Sequence, residues 1–410
     1  MAEFKRKELF ILRPLLVQTV VNALHSIFVE GRYADKVIEY TLKNSPKAGS
    51  SDRSFIAETT YEVVRYFRLY SELLGKKPTQ TDDFWQLVGI HFILKNKDLP
   101  QWEELRTLNA EQIRAKYDAI KDQLAIRESI PDWLNDMCAA ELGEQWGKTM
   151  NFLNRPAHVV LRTNTLKTDT ATLLKELREE GIDAKQVGKS NSVLLLKRKN
   201  AFRTVAFKKG MFEVQDYSSQ LVAPFLAPEP GMRVVDACAG AGGKTLHLAA
   251  LMESKGQLLA LDTLEWKLQE LKLRARRAGV SNIQIRTIEN SKTIKRLHNS
   301  ADRLLLDVPC SGLGVLRRNP DSKWKLSPEM IDSLKETQAK ILDDYSKIVK
   351  PGGKMVYATC SILPSENEKQ VERFLATEFG KEFTLEEEKK ILPQDDGFDG
   401  FYMARLVRKA

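Results

Sequence analysis

Cysteine and histidine are scarce in this 410-residue sequence, which contains four cysteines and five histidines. The cysteines (Cys138, Cys238, Cys310 and Cys360) lie at least 50 residues apart, so there is no Cys-x-x-Cys pair to support a structural zinc site. So few cysteines in so long a chain also do not form a disulfide framework. We therefore expect no bound metal, and a cysteine with a function should act as a free thiol.

Long hydrophobic runs are also missing. No stretch approaches the roughly 18 uninterrupted apolar residues that a membrane-spanning helix needs. The N-terminal segment Met1–Leu12 superficially resembles a signal peptide, but Arg13 and Gln18 interrupt the apolar run and no small-residue cleavage site follows. The sequence therefore predicts an ordinary helix start in a cytoplasmic protein without a membrane partner.

Acidic residues are outnumbered, with 55 Asp and Glu against 64 Lys and Arg, which gives a net charge of +9. This excess favours a polyanionic partner, although many basic proteins bind no nucleic acid. Hydrophobic residues make up 42% of the chain and charged residues 29%, which is ordinary globular composition and excludes wholesale disorder.

Periodicity and punctuation divide the chain into three predicted domains. Residues 1–128 carry apolar positions at three- and four-residue steps, as from Ile56 to Phe67, which predicts a packed helical bundle. Residues 129–212 begin with a short linker helix and continue in a β-α-β pattern, which is typical of a small α/β module. Residues 213–410 alternate strands and helices, which predicts a doubly wound parallel sheet of the α/β class.

Strand-like apolar runs recur through the last domain. The predicted strands are Arg233–Ala237, Leu258–Asp262, Ile283–Arg286, Leu304–Asp307 and Lys354–Thr359. Between them, Gly279 should end one helix, and Ser327 followed by Pro328 should begin another. Because ligands bind beyond the carboxyl ends of parallel strands, the residues that end these strands are the candidates for function.

A glycine-rich turn, Asp236–Thr245, follows the first of these strands. It does not fit a P-loop, because Cys238 stands where the first glycine is needed, and Thr245 takes the place of the third glycine in the dinucleotide fingerprint. Asp262 ends the second strand about 20 residues further on, where an acid suits a ribose diol. A nucleoside without a pyrophosphate makes S-adenosylmethionine the leading candidate, with a P-loop NTPase as the weaker alternative.

Glu289 follows the third strand and could accept a hydrogen bond from an adenine amino group. A surface glutamate in a loop explains it equally well. For Asp236 and Asp262 the functional interpretation is favoured, because both end strands at the binding edge.

Two cysteines follow the fourth and fifth strands, in Asp307-Val-Pro-Cys310 and Thr359-Cys360-Ser. Carbon 5 of a pyrimidine is a weak nucleophile, but a thiolate that adds to carbon 6 turns the ring into an enamine whose carbon 5 accepts a methyl group. An acid near N3 would stabilise the adduct, which is a suitable task for Asp307. A second thiol could assist when the carbon-5 proton leaves and the first thiol is expelled.

The sequence resembles the RNA cytosine-5 methyltransferases of the Sun family, and most closely the bacterial RsmB-type small-subunit rRNA enzymes. The matching blocks are Glu213–Gln220, Asp236–Thr245, Asp307–Gly312, Arg317–Trp324, Thr359–Ser361 and Asp399–Tyr402. Each block alone is weak, but their joint occurrence in this order is highly specific.

The resemblance implies a Rossmann-like, S-adenosylmethionine-dependent methyltransferase domain, preceded by an RRM-like module and an all-α, NusB-like RNA-binding domain. It implies that Cys360 is the nucleophile, that Cys310 assists product release, and that Asp307 lies close to both the cofactor and the target base. The implied cofactor residues are Cys238, Ala239, Gly240, Ala241, Gly242, Gly243, Lys244, Asp262, Glu289 and Asp307. Two residues depart from the family pattern: Ala241 replaces the usual proline, and Glu289 replaces the usual aspartate.

The predicted partner is RNA, with rRNA favoured, and the target cytosine should be single-stranded or flipped out of its stack. The candidate phosphate contacts are Arg317, Arg318, Lys197, Arg198 and Lys199. The last three belong to Lys189–Gly210, which has seven basic residues and no acid, although exposed basic residues of no special function explain the run equally well. The protein is expected to act as a monomer.

Three alternative functions remain open at this stage. Members of the family divide between rRNA and tRNA targets, so a tRNA cytosine-5 methyltransferase is the first. A non-catalytic ribosome-assembly factor on the same fold is the second, and the presence of both Cys310 and Cys360 speaks against it. A DNA cytosine methyltransferase is the third, but it typically uses the cysteine of the Pro-Cys block as nucleophile.

Overall fold

The computed structural model describes residues 12–410, and the chain folds into two compact units. One unit contains the described residues up to Met137 together with the segment Arg318–Lys325, and the other contains Cys138–Arg317 and Leu326–Ala410. Apart from Leu12, the predicted helix start at the N-terminus lies outside the described residues. The domain boundaries at 128 and 212 remain predictions.

The first unit is all-α, as the sequence predicts. Its helices are α1 (Pro14–Phe28), α2 (Ala34–Lys43), α3 (Ser50–Arg65), α4 (Phe67–Leu74), α5 (Thr81–Leu94), α6 (Ala110–Ile120) and α7 (Leu124–Arg127), and α8 (Asp132–Leu142) crosses the boundary of the unit. The predicted apolar stripe of α3 is buried, because Ile56, Val63 and Val64 all lie in the hydrophobic core of this unit. The likeness of this unit to NusB remains a prediction.

The segment Arg318–Lys325 is part of the helical unit, although it lies far along the chain. The indole nitrogen of Trp324 donates to the carbonyl of Val64 at 2.8 Å, and the buried Lys323 Nζ donates to the carbonyl of Arg65 at 2.8 Å. Asp321 accepts a hydrogen bond from the first backbone N–H of α2 at 3.0 Å. Much of the block that ends at Trp324 therefore has a structural role, and its last residues form the short helix α16 (Ser322–Lys325).

A four-stranded antiparallel sheet forms the small module of the second unit. Its strands are β1 (Val160–Thr163), β2 (Ala184–Gln186), β3 (Ser192–Leu195) and β4 (Phe212–Val214), in the order β2-β3-β1-β4. The helices of this region are α9 (Gln145–Leu153), α10 (Thr170–Glu179) and α11 (Val205–Lys208). Leu161, Leu173 and Phe212 pack together in its core, which confirms the predicted small α/β module.

The large sheet has seven strands in the order β10-β11-β9-β8-β5-β6-β7. Its strands are β5 (Arg233–Asp236), β6 (Gln257–Asp262), β7 (Ile283–Thr287), β8 (Ala301–Asp307), β9 (Val349–Thr359), β10 (Phe383–Ile391) and β11 (Phe401–Arg408). Strands β5 to β9 are parallel, and the β10-β11 hairpin adds an antiparallel edge. The five predicted strands are confirmed, and they form the Rossmann-like sheet expected of a methyltransferase.

The remaining helices connect these strands. They are α12 (Tyr217–Phe225), α13 (Gly243–Leu251), α14 (Glu265–Ala278), α15 (Ser291–Lys295), α17 (Pro328–Tyr345), α18 (Glu368–Leu375) and α19 (Pro393–Asp396). Gly279 ends α14 in the left-handed conformation, and the Ser327 hydroxyl caps α17, both as predicted. Across residues 12–410, no helix combines the length and apolar character needed to cross a bilayer.

Candidate active site

A cavity of about 380 Å³ opens where β5, β6 and β8 end. This volume lies in the range of about 300–1,000 Å³ that is typical of small-molecule sites. The predicted cofactor residues that line it are Cys238, Ala239, Gly240, Ala241, Gly243, Lys244, Asp262 and Asp307. The sheet therefore brings together residues that the sequence spreads over about 70 positions, from Cys238 to Asp307.

Two predicted cofactor residues do not line this cavity. Gly242 has a structural role, because it begins α13 with φ 86° and a Cβ there would lie 2.0 Å from Leu271 Cδ1 of α14. Glu289 is exposed and lines a neighbouring depression of about 460 Å³ together with Thr263 and Ile288. The backbone N–H of Ile288 donates to the carbonyl of Asp262 at 2.9 Å, so Glu289 lies just beyond this strand end, and its contact with adenine remains a prediction.

Asp262 fastens the glycine-rich loop to the end of β6. One carboxylate oxygen accepts the Gly240 backbone N–H at 2.8 Å, and the other accepts the Leu264 N–H at 2.8 Å. A carboxylate offers about four acceptor sites, so two remain for a ligand, and Asp262 lines the cavity. This is the arrangement that a ribose diol requires, and the residues present therefore fit the nucleoside of S-adenosylmethionine.

Lys244 and Asp307 both line the cavity and form an ion pair with each other at 2.6 Å. Burial alone would lower the pKa of Lys244, but attraction to Asp307 and to Cys360 raises it above its ordinary value. The ammonium group therefore stays charged between the cofactor cavity and the cysteine pair.

Asp236 at the end of β5 is buried beneath the loop. Its Oδ2 accepts a hydrogen bond from Thr245 Oγ1 at 2.7 Å, and its Oδ1 has no hydrogen-bond partner among residues 12–410. Burial raises the pKa of Asp236 to about 7, and repulsion from Asp307 adds to the effect. Asp236 thus supports the loop from below and does not line the cavity.

Replacing Asp236 by asparagine should stabilise the protein at alkaline pH. Because the folded-state pKa is raised from 3.8 to about 7, the native chain binds a proton that the unfolded chain has lost, and stability falls as pH rises through this window. The variant keeps an amide oxygen that accepts the Thr245 hydroxyl, and it has no buried group that must ionise. We therefore expect the free energy of unfolding to rise by about 1–3 kcal/mol at pH 8. Urea unfolding of the variant and the wild-type protein at pH 4 and pH 8 measures this change. An equal difference between the two proteins at both pH values would contradict the raised pKa of Asp236.

Cys310 and Cys360 face each other at the ends of the adjacent strands β8 and β9. Their Sγ atoms lie 3.4 Å apart, and both thiols are free and half-buried. The hydrogen bond with Cys360 and burial raise the pKa of Cys310 well above its ordinary value. Cys310 therefore keeps its proton at neutral pH.

The small module and α14 hold the glycine-rich loop from outside. Arg162 of β1 is buried and donates to the Gly243 carbonyl at 2.6 Å, while Arg274 donates to the Ala241 carbonyl at 2.7 Å. Sequence reasoning missed these arginines, because nothing in their local pattern sets them apart from other basic residues. The spatial arrangement of the two sheets alone gives them this role.

Gln215, Ser219 and Lys267 also line the cavity and were not among the predicted residues. Gln215 and Ser219 belong to the block Glu213–Gln220, which carried the family resemblance but suggested no role. The block could have indicated a role for these two residues, because it leads directly into α12 beside the cavity.

The predicted phosphate contacts divide into two groups. Arg317 is buried and donates to the carbonyls of Gly397 and Pro156 at 2.6 and 2.8 Å, so its predicted place on an RNA-facing surface is wrong. Its guanidinium group instead connects its own loop with the loops at Pro156 and Gly397. Arg318 is half-buried.

Lys197, Arg198 and Lys199 are exposed after β3. Arg198 also donates to the Ala157 carbonyl at 3.2 Å, and Lys199 donates to the Gly181 carbonyl. These three residues remain candidates for contact with phosphate.

Residues 223–407 match the family described as 16S rRNA methyltransferase RsmB/F, and residues 130–203 match its ferredoxin-like domain. The chain is 34% identical to ribosomal RNA small subunit methyltransferase B of Vibrio vulnificus, over 88% of this chain and 92% of that protein.

The solved structures that resemble the fold include the following two. The protein PH0851 superposes with a TM-score of 0.81 over 97% of this chain and 99% of that one, at 23% identity. A methyltransferase homologue from Pyrococcus horikoshii superposes with a TM-score of 0.62 over 71% of this chain and 99% of that one, at 27% identity.

Proposed function

Because this chain belongs to the RsmB/F family of 16S rRNA methyltransferases, we propose that it transfers a methyl group from S-adenosylmethionine to carbon 5 of a cytosine in small-subunit rRNA. The observation that carries this proposal is the pair of free thiols, Cys310 and Cys360, 3.4 Å apart beside the cavity. Methyl transfer to an oxygen or an exocyclic nitrogen needs no thiol, whereas carbon 5 needs a nucleophile at carbon 6.

Cys360 is the proposed nucleophile. The Cys360 thiol loses its proton to solvent, and its Sγ forms a bond to carbon 6 of the cytosine. The electron pair of the 5,6 double bond moves to carbon 5, which then forms the bond to the methyl group. Lys244 and Asp307 are paired at 2.6 Å, the charge of Cys360 acts on the pKa of Lys244, and the pair is proposed to supply the charged groups that orient the base. Asp307 is the proposed partner of N3, where a proton must be held while the adduct exists.

Cys310 is the proposed base for release. After methyl transfer, the carbon-5 proton leaves, the Sγ–C6 bond breaks and the double bond re-forms. In the free protein the contact with Cys360 is the main cause of the raised pKa of Cys310. Once the Cys360 sulfur is bonded to carbon, that cause is removed, so Cys310 loses its own proton to solvent more readily and, as a thiolate, can take up the carbon-5 proton.

The glycine-rich loop, Asp262 and Asp307 are the proposed cofactor contacts. S-adenosylmethionine, when bound, supplies an electrophilic methyl group. The loop's backbone and the two open acceptor sites of Asp262 hold the nucleoside, and the Lys244–Asp307 pair borders the cavity on the side of the thiols.

Replacing Asp262 by alanine should weaken S-adenosylmethionine binding by about 10- to 100-fold, the effect expected when charged hydrogen bonds are lost. The change removes the acceptor for the ribose diol and also the tie to Gly240. Calorimetric titration with the cofactor measures the effect. Glu270→Ala is the matched comparison, because that exposed carboxylate of α14 lies outside the cavity and should leave the affinity within about twofold. A larger loss in Glu270→Ala than in Asp262→Ala would contradict the proposed cofactor contacts.

The test of the function is product analysis with the purified protein. The full chain, S-adenosylmethionine and small-subunit rRNA, free or within ribosomal subunits, should give 5-methylcytidine that mass spectrometry of the digested nucleosides identifies. A methyl group on another base would refute the covalent chemistry. Methylation of tRNA alone would favour the tRNA alternative, and RNA binding without any methylation would favour the assembly factor.

A further inference from the structure

The two cysteine loops have the same local sequence and the same local geometry. Both read Cys-Ser-x-Leu, in Cys310–Leu313 and in Cys360–Leu363. In each loop the serine hydroxyl accepts the backbone N–H of the leucine two residues later, at 3.4 Å for Ser311 and 3.1 Å for Ser361. Each serine therefore fixes the turn that presents its neighbouring thiol.

One buried carboxylate joins these two turns. Glu366 is fully buried, and its Oε2 accepts the hydroxyls of Ser311 and Ser361, each at 2.5 Å. Its Oε1 accepts the Ser311 backbone N–H at 2.8 Å and Gln338 Nε2 at 2.9 Å. Four donors thus fill the four acceptor sites of the carboxylate.

Further hydrogen bonds hold the same arrangement from both sides. Gln338 Nε2 also donates to the carbonyl of Pro309 at 2.9 Å, immediately before Cys310. The Gly314 N–H donates to the carbonyl of Cys360 at 2.9 Å. The backbones of the two loops are therefore connected directly, as well as through Glu366.

Glu366 itself is anchored independently of the serines. Its carbonyl accepts the Tyr357 hydroxyl at 2.6 Å, which ties it to β9. The following residue, Asn367, accepts the Thr359 hydroxyl at 2.5 Å and donates to the Ser361 carbonyl at 3.1 Å. The carboxylate is thus a fixed point against which both loops are set.

Burying a carboxylate is costly unless every acceptor site is used, and an apolar residue would fill the same space at lower cost. A fully satisfied buried polar network specifies one geometry. Here the geometry that it specifies is the distance between two reactive sulfurs on two different strands.

We propose that Glu366 is a positioning residue that holds the Cys310 and Cys360 loops together, so that the two thiols stay within contact distance during the covalent cycle. We call Glu366 together with Ser311 and Ser361 the clamp. Its role in catalysis rests on the proposed function, because it assumes that the two thiols act in succession on one base. Glu366 is fully buried and acts through Ser311, Ser361 and Gln338, whose hydrogen bonds hold the residues next to the two cysteines.

Two variants test the clamp in the full-length protein. Glu366→Gln keeps the size of the side chain but turns one acceptor oxygen into a donor, and the double variant Ser311→Ala/Ser361→Ala leaves Glu366 in place and removes both hydroxyls. In both, kcat for methyl transfer should fall by about 10- to 100-fold, because small displacements of reacting groups have effects of this size. KM for RNA should stay within about twofold, since no RNA contact is altered.

A second measurement does not depend on methyl transfer. Diamide, which takes up two electrons and two protons, should join Cys310 and Cys360 into a disulfide, and peptide mass spectrometry should follow its formation. The wild-type protein holds the sulfurs at 3.4 Å and should cross-link about tenfold faster than either variant, because disulfide formation requires specific geometry.

Asp83→Asn is the matched control. Asp83 is also a buried carboxylate that accepts two backbone N–H groups, from Thr79 and Gln80, but it lies in the helical unit. This variant should lower the melting temperature without changing kcat or the cross-linking rate.

The outcomes separate the clamp from the proposed function. The clamp proposal would be wrong if the wild-type protein is active and the folded Glu366→Gln and Ser311→Ala/Ser361→Ala variants keep its kcat. It would also be wrong if they keep its rate of cross-linking. A fall in kcat that Asp83→Asn reproduces would also overturn it, because it would reflect stability alone. If the wild-type protein makes no 5-methylcytidine, the proposed function fails, while the cross-linking rates still decide whether Glu366 sets the distance between the sulfurs.

Discussion

Cys360→Ser should lower methyl transfer to RNA by about 10³-fold or more, the scale seen when an enzyme loses its covalent nucleophile. A serine hydroxyl is far less acidic than a thiol, so it is ionised far less often and adds to carbon 6 far more slowly than a thiolate. Incorporation of labelled methyl groups into rRNA measures the loss.

Cofactor binding is the control for this variant. Cys360 does not line the cavity, so calorimetric affinity for S-adenosylmethionine should be unchanged. Substantial activity in Cys360→Ser would show that another group attacks the base. If Cys310→Ser then lost all activity, the order of the two thiols would be reversed.

Cys310→Ser should differ from Cys360→Ser, because it should accumulate protein that is covalently bound to RNA. The Cys360–C6 bond forms and methyl transfer proceeds, but the thiol that takes up the carbon-5 proton is missing. We expect a slowly migrating band on a denaturing gel, which ribonuclease converts to the mobility of the free protein. Sequencing of the trapped RNA would identify the target cytosine.

The double variant Cys310→Ser/Cys360→Ser is the matched control, and it should form no such band. An adduct that persists in the double variant would exclude Cys360 as the attachment point. Absence of an adduct in Cys310→Ser, while the wild-type protein methylates RNA, would refute the proposed division of work between the thiols.

Local sequence was sufficient for the elements and for the region of the site. Strand ends at Asp236, Asp262 and Asp307 could be identified because apolar runs of strand length stop at an acid or a glycine-rich turn. Parallel strands bring their carboxyl ends to one edge, so Cys310 and Cys360 could be expected near each other before their distance was known. These inferences rest on short-range patterns that a single sequence contains.

Other features could not be derived in this way. Arg317 reads as one more basic residue, yet it is buried among backbone carbonyls. The segment Arg318–Lys325 reads as part of the catalytic domain, yet it belongs to the helical unit through Trp324 and Lys323. In each case the decisive partner lies more than 75 residues away, and no local pattern records it.

The sequence by itself determined the fold class, the glycine-rich loop and the presence of two cysteines at strand ends, because hydrophobic periodicity, turn chemistry and residue identity are local properties. The tertiary structure alone decided the 3.4 Å between the two sulfurs, the Lys244–Asp307 pair and the carboxylate of Glu366 beneath both loops. These are distances between side chains on different elements, and only the packing of those elements sets them.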